Sequence, residues 1–221
     1  MKRDKQEIFF LESEANNYFD RNGAELNKMI LSAIKFLKPR PNSRVVEIGC
    51  SSGINLKKIK SLYHSRVSGL DPSIKAVNYG KKKYKLNNLY VDTFLNYNFK
   101  NKFDIVIDGG FLYLTPNKII NQTLKKIFKI MKINSYFILW EYDTPYSYTN
   151  TWKHNKKIKS YKRNYINLIN KINKNLFLIS KKYYFAETHK KIKHYNSKTN
   201  IDDLISVMIF KKINPKQKKN E

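Results

Sequence analysis

The segment Glu47-Ile48-Gly49-Cys50-Ser51-Ser52-Gly53 constrains this chain most. It follows the short apolar run Val45-Val46 and precedes Ile54 to Leu62, whose apolar residues recur at helical spacing. Two glycines four apart between a strand and a helix let the backbone turn tightly and let a ligand approach it where a Cβ would collide. The same strand and helix alternation continues downstream. Arg66 to Leu70 reads as a short strand ending at Asp71, Ile74 to Leu86 as a helix, and Leu89 to Asp92 as another strand. Phe103 to Asp108 is the clearest strand, bounded by Gly109 and Gly110. Asn117 to Met131 reads as a long helix and Tyr136 to Trp140 as the next strand. Such alternation implies βαβ units and a mostly parallel sheet with helices on both faces.

The flanks are of a different kind. Gln6 to Asn22 and Leu26 to Leu37 carry apolar residues on one helical face, and Pro39 and Pro41 bound the second segment. Near the other end, Leu176 to Phe185 and Leu204 to Lys212 are strand-like and suit an antiparallel closing pair at one sheet edge. The expected fold is therefore α/β: a Rossmann-like, doubly wound, mostly parallel sheet with an antiparallel C-terminal edge strand and N-terminal helices. Residues 1–40 form a helical cap, 41–213 the main domain, with 144–175 as a lid or insertion, and 214–221 a flexible tail. The 221 residues suit one domain. No run approaches a membrane span, the start is charged rather than signal-like, and the single Cys50 offers neither a disulfide framework nor a cysteine-clustered metal site. A cytoplasmic location is expected.

Charge needs weighing, because 44 Lys plus Arg against 17 Asp plus Glu give +27. Such a balance suggests nucleic acid or an anionic surface. Yet 38 Lys, 26 Asn, 25 Ile and 16 Tyr dominate the chain, all residues with A/T-rich codons, and only 6 of the basic residues are Arg, the side chain that phosphate and base recognition favour. Compositional drift accounts for the charge at least as well as a nucleic-acid face, and an anionic small substrate is compatible with both.

In a doubly wound sheet, ligands bind beyond the carboxyl ends of the strands. Asp71, 18 residues after Gly53, stands where a carboxylate accepts both hydroxyl protons of a ribose. No Gly-Lys-Ser/Thr triplet is present to hold phosphates, and the loop is Gly-x-x-x-Gly rather than Gly-x-Gly-x-x-Gly. The acidic Glu47 before it would repel pyrophosphate and suits a positive ligand; S-adenosylmethionine carries an ammonium and a sulfonium.

These residues resemble the class I S-adenosylmethionine-dependent methyltransferases. Val46 to Gly53 is similar to that family's first motif, Gly69-Leu70-Asp71-Pro72-Ser73 to its second acidic motif, and Phe103 to Leu112 to its fourth-strand motif. Ser51 departs from the usual middle glycine. The resemblance spans about Pro39 to Lys212 and implies that Gly49 and Gly53 line the methionine part, Asp71 holds the ribose, and Glu47 orients the loop or the amino group. It places Asp92 and Thr93 at adenine and Gly109 or Gly110 beside the sulfonium, with Cys50, Pro72 and Asp108 in the same cofactor-binding set. Turn and cap chemistry is the plain alternative for Glu47, Asp71 and Asp92; Cys50 also reads as a small packing residue.

Residues 6–22, with Phe10-Leu11-Glu12 and Tyr18 to Asn22, and the segment Tyr161-Lys162-Arg163-Asn164-Tyr165 are similar to methyltransferases associated with bacterial surface-sugar (pseudaminic acid, capsule, lipopolysaccharide) biosynthesis. That likeness implies that Tyr18, Arg21 and Asn22 close over the cofactor and that Lys162 and Arg163, with Tyr113 as pocket wall, meet an anionic substrate. The candidate bases are Glu141 and Asp143 at the end of the fifth strand and His154 in the lid. The expected function is methyl transfer to oxygen, or less readily nitrogen, of a sugar, nucleotide-sugar or surface-polysaccharide precursor. An rRNA or tRNA methyltransferase and a non-catalytic cofactor-binding protein are the alternatives; Asp108-Gly109-Gly110-Phe111 stands where base-amino methyltransferases carry Asn/Asp-Pro-Pro-Tyr/Phe.

Overall fold

The structure, a computed structural model, describes residues 4–192 and 200–214. The end of the chain expected to be a flexible tail lies, beyond Asn214, outside the described residues.

An eight-stranded sheet forms the centre, in the order β3-β2-β1-β4-β5-β10-β8-β9. Its parallel half comprises β1 (Arg44–Ile48), β2 (Arg66–Asp71), β3 (Leu89–Val91), β4 (Phe103–Asp108) and β5 (Met131–Tyr142). At the other edge β10 (Leu204–Lys212) runs antiparallel between β5 and β8 (Leu176–Phe185), and β9 (Lys191–Ile192) adds to β8. The α/β fold is thus as the sequence predicts, and the two last long strands have the predicted bounds.

Strand side chains alternate between two apolar layers, as the period of two requires. Val46, Val106, Phe137, Leu139, Met208 and Phe210 face α6 (Asn117–Ile130) and α7 (Tyr165–Ile172). Val45, Ile105, Ile107, Ile138, Val207 and Ile209 face α3 (Lys28–Leu37), α4 (Ile54–Tyr63) and α5 (Ile74–Tyr84). Because both faces are covered, β1 and β4 are apolar on both sides, which is why they read as continuous apolar runs.

The N-terminal segment is a helix interrupted once: α1 (Lys5–Phe9), a π-helical turn (Phe10–Glu14) and α2 (Ala15–Asn22). Asp4 and Glu7 form a capping box at its start. The π turn carries Glu14, which is buried, ion-paired with Arg21 at 2.6 Å and hydrogen-bonded by Asn155 at 3.0 Å. Helix α3 is capped by the Asn27 side chain and ends through left-handed Lys38, one residue before Pro39.

The stretch 144–175, expected as a lid or insertion, contains α7. It also holds a hairpin of β6 (Tyr148–Trp152) and β7 (Asn155–Lys162), whose base is closed by Thr144 N–H donating to Arg163 O at 3.0 Å. Its Tyr, Asn and Lys content conceals the strand pattern, because half of each strand faces solvent and the other half packs on the N-terminal helix. There Trp152 meets Phe10 and Tyr18, with ring centroids 5.9 and 6.2 Å apart, and Gln6 pairs with the backbone of Lys159. Among the described residues no helix is long and apolar enough to cross a membrane.

Candidate active site

The carboxyl ends of β1 to β5 open into one cavity of about 280 Å³, roofed by Gln6, Phe10, Ala15 and Tyr18 of the N-terminal helix. No residue of 144–175 lines it; the hairpin supports the roof from behind.

Of the sequence-predicted cofactor residues, Tyr18, Glu47, Gly49, Cys50, Asp71, Pro72, Asp92, Thr93 and Gly109 line this cavity. Glu47, one residue before the end of β1, is almost wholly buried. Its Oε1 accepts a hydrogen bond from Asn55 Nδ2 at 2.8 Å, while Oε2 is buried without a partner. Burial pushes its pKa up to about 8, against the lowering effect of Asn55. Asp71 Oδ2 accepts from Ser51 N–H at 2.7 Å and Oδ1 from Ser73 N–H at 2.8 Å, so the carboxylate ties the glycine loop to the start of α5. Burial raises it to about 6, against these two amide hydrogen bonds. Ser51 is held in left-handed conformation (φ 48°), where the family's glycine would be unstrained.

Gly49 and Gly109 let the ends of β1 and β4 meet. A Cβ on Gly109 would lie 2.3 Å from Gly49 O, too close for any side chain. Asp92 accepts hydrogen bonds from Thr93 N–H at 2.8 Å and from Asn96 Nδ2, forming a turn that also presents Phe94 and Leu95 to the cavity.

Other predicted residues stand elsewhere. Gly53 sits behind the loop, starting α4 at φ 72° and packing on Leu86 and Leu89. Arg21 turns to Glu14 rather than to the cavity. Asp108 lies under the floor, where its Oδ1 accepts from Phe111 N–H at 3.2 Å. Glu141 beside it accepts from Tyr113 N–H at 3.0 Å and does not line this cavity either.

The catalytic and substrate expectations need correction on the same ground. Asp143 is buried in an ion pair with Lys181 at 2.5 Å and accepts from Tyr165 N–H. His154 is exposed, edge-on to Trp152 at 5.0 Å, outside the cavity. Arg163 is 3% exposed, and its guanidinium donates to Leu112 O, Thr115 O and Asn117 Oδ1. Lys162 Nζ lies 3.0 Å from the Tyr142 ring centroid, and burial brings its pKa down to about 8. Neither cation lines the cavity. Tyr113 lines it.

Sequence reading missed Asn55, which donates to Glu47 and through its Oδ1 accepts from Asn27 N–H at 2.9 Å, coupling the loop to α3. Its place on the first turn after Gly53 was the available signal. Trp140 and His189 were missed as well; both line the cavity, His189 from beyond β8.

Residues 45–134 match the model of a methyltransferase domain family. Among solved structures, the Burkholderia thailandensis 1,6-didemethyltoxoflavin-N1-methyltransferase, with 1,6-didemethyltoxoflavin and S-adenosylhomocysteine bound, is 11% identical with a TM-score of 0.69 over 95% of this chain and 87% of its own. The N-methyltransferase NodS from Bradyrhizobium japonicum WM9, in complex with S-adenosylhomocysteine, is 14% identical with a TM-score of 0.61 over 96% and 100%. A complex of the Haloferax volcanii Trm112 methyltransferase activator and the putative methyltransferase gives 15%, 0.64, 97% and 100%. Among curated proteins no sequence match is found. The fold of this chain is the one these solved structures share.

Proposed function

We propose that this chain is an S-adenosylmethionine-dependent methyltransferase acting on a small molecule. The observation that carries it is the convergence of Glu47, Gly49 and Asp71 on one cavity at the carboxyl ends of β1 and β2. The cavity suits the cofactor chemically: Glu47 offers a buried carboxyl oxygen without a partner to an ammonium, Asp71 has lone pairs left for ribose hydroxyls, and the crossing at Gly49 and Gly109 keeps side chains out of the cofactor's path.

When bound, S-adenosylmethionine supplies an electrophilic methyl group on a positively charged sulfur. The protein's part is positioning and water exclusion. Asp71 and Glu47 fix the two polar ends, and the N-terminal helix roofs the cavity with Phe10 and Tyr18. Such orientation accounts for much of the acceleration available to a simple displacement.

A small acceptor is favoured over nucleic acid because the cavity is roofed and none of the described residues lining it is Lys or Arg. The finer reading, oxygen of a surface-sugar precursor, rests on the short likenesses at residues 6–22 and 161–165. The roofed cavity supports its small-molecule part, and the burial of Lys162 and Arg163 weighs against its anion-binding part. Calorimetric titration with S-adenosylmethionine and S-adenosylhomocysteine tests the proposal. Micromolar binding that Asp71→Ala weakens supports it, and no binding by the natural chain overturns it.

A further inference from the structure

Methyl transfer to a hydroxyl oxygen calls for a group that takes the hydroxyl's proton, and the three bases expected from sequence, Glu141, Asp143 and His154, all lie outside the cavity. Another histidine lies on it. His189 lines the cavity from the turn that follows β8. Topology brings it there: β5 and β8 both pair antiparallel with β10, so β8 points the same way as β5, and its carboxyl end stands at the cavity's end of the sheet. The turn is fixed in place. Phe185 N–H donates to Lys190 O at 3.0 Å and His189 N–H to Phe185 O at 2.8 Å, closing the turn on itself. Ala186 N–H donates to Asp203 O at 2.8 Å and Glu187 N–H to Asp203 Oδ1 at 3.0 Å, tying it to the head of β10. These bonds hold His189 in the left-handed region, at φ 55°, a conformation that disfavours residues with a Cβ.

The cavity divides by strand. Glu47, Asp71 and Asp92, on the side proposed for the cofactor, come from the ends of β1, β2 and β3. Across the Gly49 and Gly109 crossing stand Phe111 and Tyr113 after β4, Trp140 on β5 and His189 after β8. The other titratable groups that line the cavity are engaged or hold their protons. Glu7 and Glu25 belong to the roof, Glu7 accepting from Asp4 N–H at 3.1 Å and Glu25 acting on Tyr18. Burial pushes the Tyr18 and Tyr113 hydroxyls and the Cys50 thiol above their ordinary values, so at neutral pH they do not serve as bases. Imidazole is the side chain that exchanges protons near neutral pH, and His189 is exposed, so a proton it takes can pass to water.

Resting on the methyltransferase reading, we infer that His189 is the general base of this chain and that the acceptor atom is a hydroxyl oxygen. An imidazole nitrogen of His189 takes the hydroxyl proton as the oxygen forms its bond to the methyl carbon. The C–S bond breaks with its electron pair left on sulfur, so the sulfonium becomes a neutral thioether, and the His189 imidazolium then gives its proton to water.

Binding of S-adenosylhomocysteine is measured first by calorimetry, so that its failure counts against the methyltransferase reading and not against this one. The natural chain, His189→Ala and His189→Gln are then given S-adenosylmethionine with a radiolabelled methyl group and, as acceptor, the small-molecule extract of cells from which the gene for this chain has been deleted. Hydroiodic acid, which releases methyl iodide from O-methyl groups under conditions that spare N-methyl groups, identifies the methylated atom. The expected result is label on oxygen, transferred about 100-fold or more slowly by both variants, with S-adenosylhomocysteine affinity and urea midpoint unchanged. Added imidazole, which fits the space vacated in His189→Ala, should restore about tenfold or more of that variant's rate and none of the rate of His189→Gln, whose side chain fills the space. A residue that only shapes the turn would not be replaced by free imidazole. Label on nitrogen, no label transferred by a chain that binds S-adenosylhomocysteine, variants that keep their rate, or a loss that imidazole does not restore overturns the inference.

Discussion

Asp108 on β4 and Glu141 on β5 are neighbouring buried carboxyls beneath the cavity, and each holds one backbone amide of the loop between them: Phe111 N–H for Asp108, Tyr113 N–H for Glu141. The pair therefore sets the floor on which Phe111 and Tyr113 stand. Two buried carboxyls in contact cannot both ionise cheaply. Burial, then repulsion from Glu141, pushes Asp108 well above its ordinary value, and burial raises Glu141 to about 7.

Both folded-state pKa values are raised, so the unfolded chain releases these protons first. The stabilising effect of their protonation is present at acid pH and is lost as pH rises from the unfolded value through the folded one. Stability of the free protein should decline from about pH 5 to about pH 8. Urea midpoints across that range check it: Glu141→Gln, which supplies a permanent donor to Asp108, should flatten the decline.

Glu47 predicts the opposite trend for binding. With its pKa at about 8 in the free protein, it must lose a proton to meet an ammonium. Affinity for S-adenosylhomocysteine should rise with pH up to about 8 and level off there, where an α-amino group of ordinary pKa itself begins to deprotonate. Titration in buffers of different ionisation enthalpy should reveal proton release at neutral pH. Glu47→Gln should weaken binding about tenfold or more and abolish the release.

Asp71→Ala removes the acceptor of the Ser51 and Ser73 amides together with the ribose contact. Cofactor affinity should fall by about 30-fold or more, since a charge-assisted hydrogen bond contributes about 1.5–3 kcal/mol. Asp71→Asn, which retains one acceptor oxygen, should fall between. Calorimetry under one buffer condition separates the three proteins.

Arg163→Ala leaves Leu112 O, Thr115 O and Asn117 without their buried donors and should cost about 3 kcal/mol of stability. Chemical denaturation measures this. If Arg163 instead recognised substrate, the variant would keep its denaturation midpoint and lose acceptor affinity.

The parallel sheet was legible in the chain because each buried strand must be apolar on both faces and each turn needs its own residues; β4 is predicted to the residue. Glu47, Gly49, Asp71 and Gly109 were legible for a related reason, since the carboxyl ends of neighbouring strands meet wherever such a sheet forms. The hairpin β6–β7 was hidden, because its pattern depends on a partner helix about 140 residues away in the chain, as the Glu14 to Asn155 bond shows. Tertiary structure alone decided the fate of the charged residues after β5. Lys162 and Arg163 read as exposed cations by type, and Glu141, Asp143 and His154 as bases by position. Whether a charged group faces a ligand or a buried carbonyl depends on which neighbours surround it, and those neighbours come from segments distant in sequence. The sequence by itself determined the sheet, the glycine crossing and the two carboxylates at the carboxyl ends of β1 and β2; packing determined that the cavity they border is acidic, aromatic and free of lysine and arginine among the described residues.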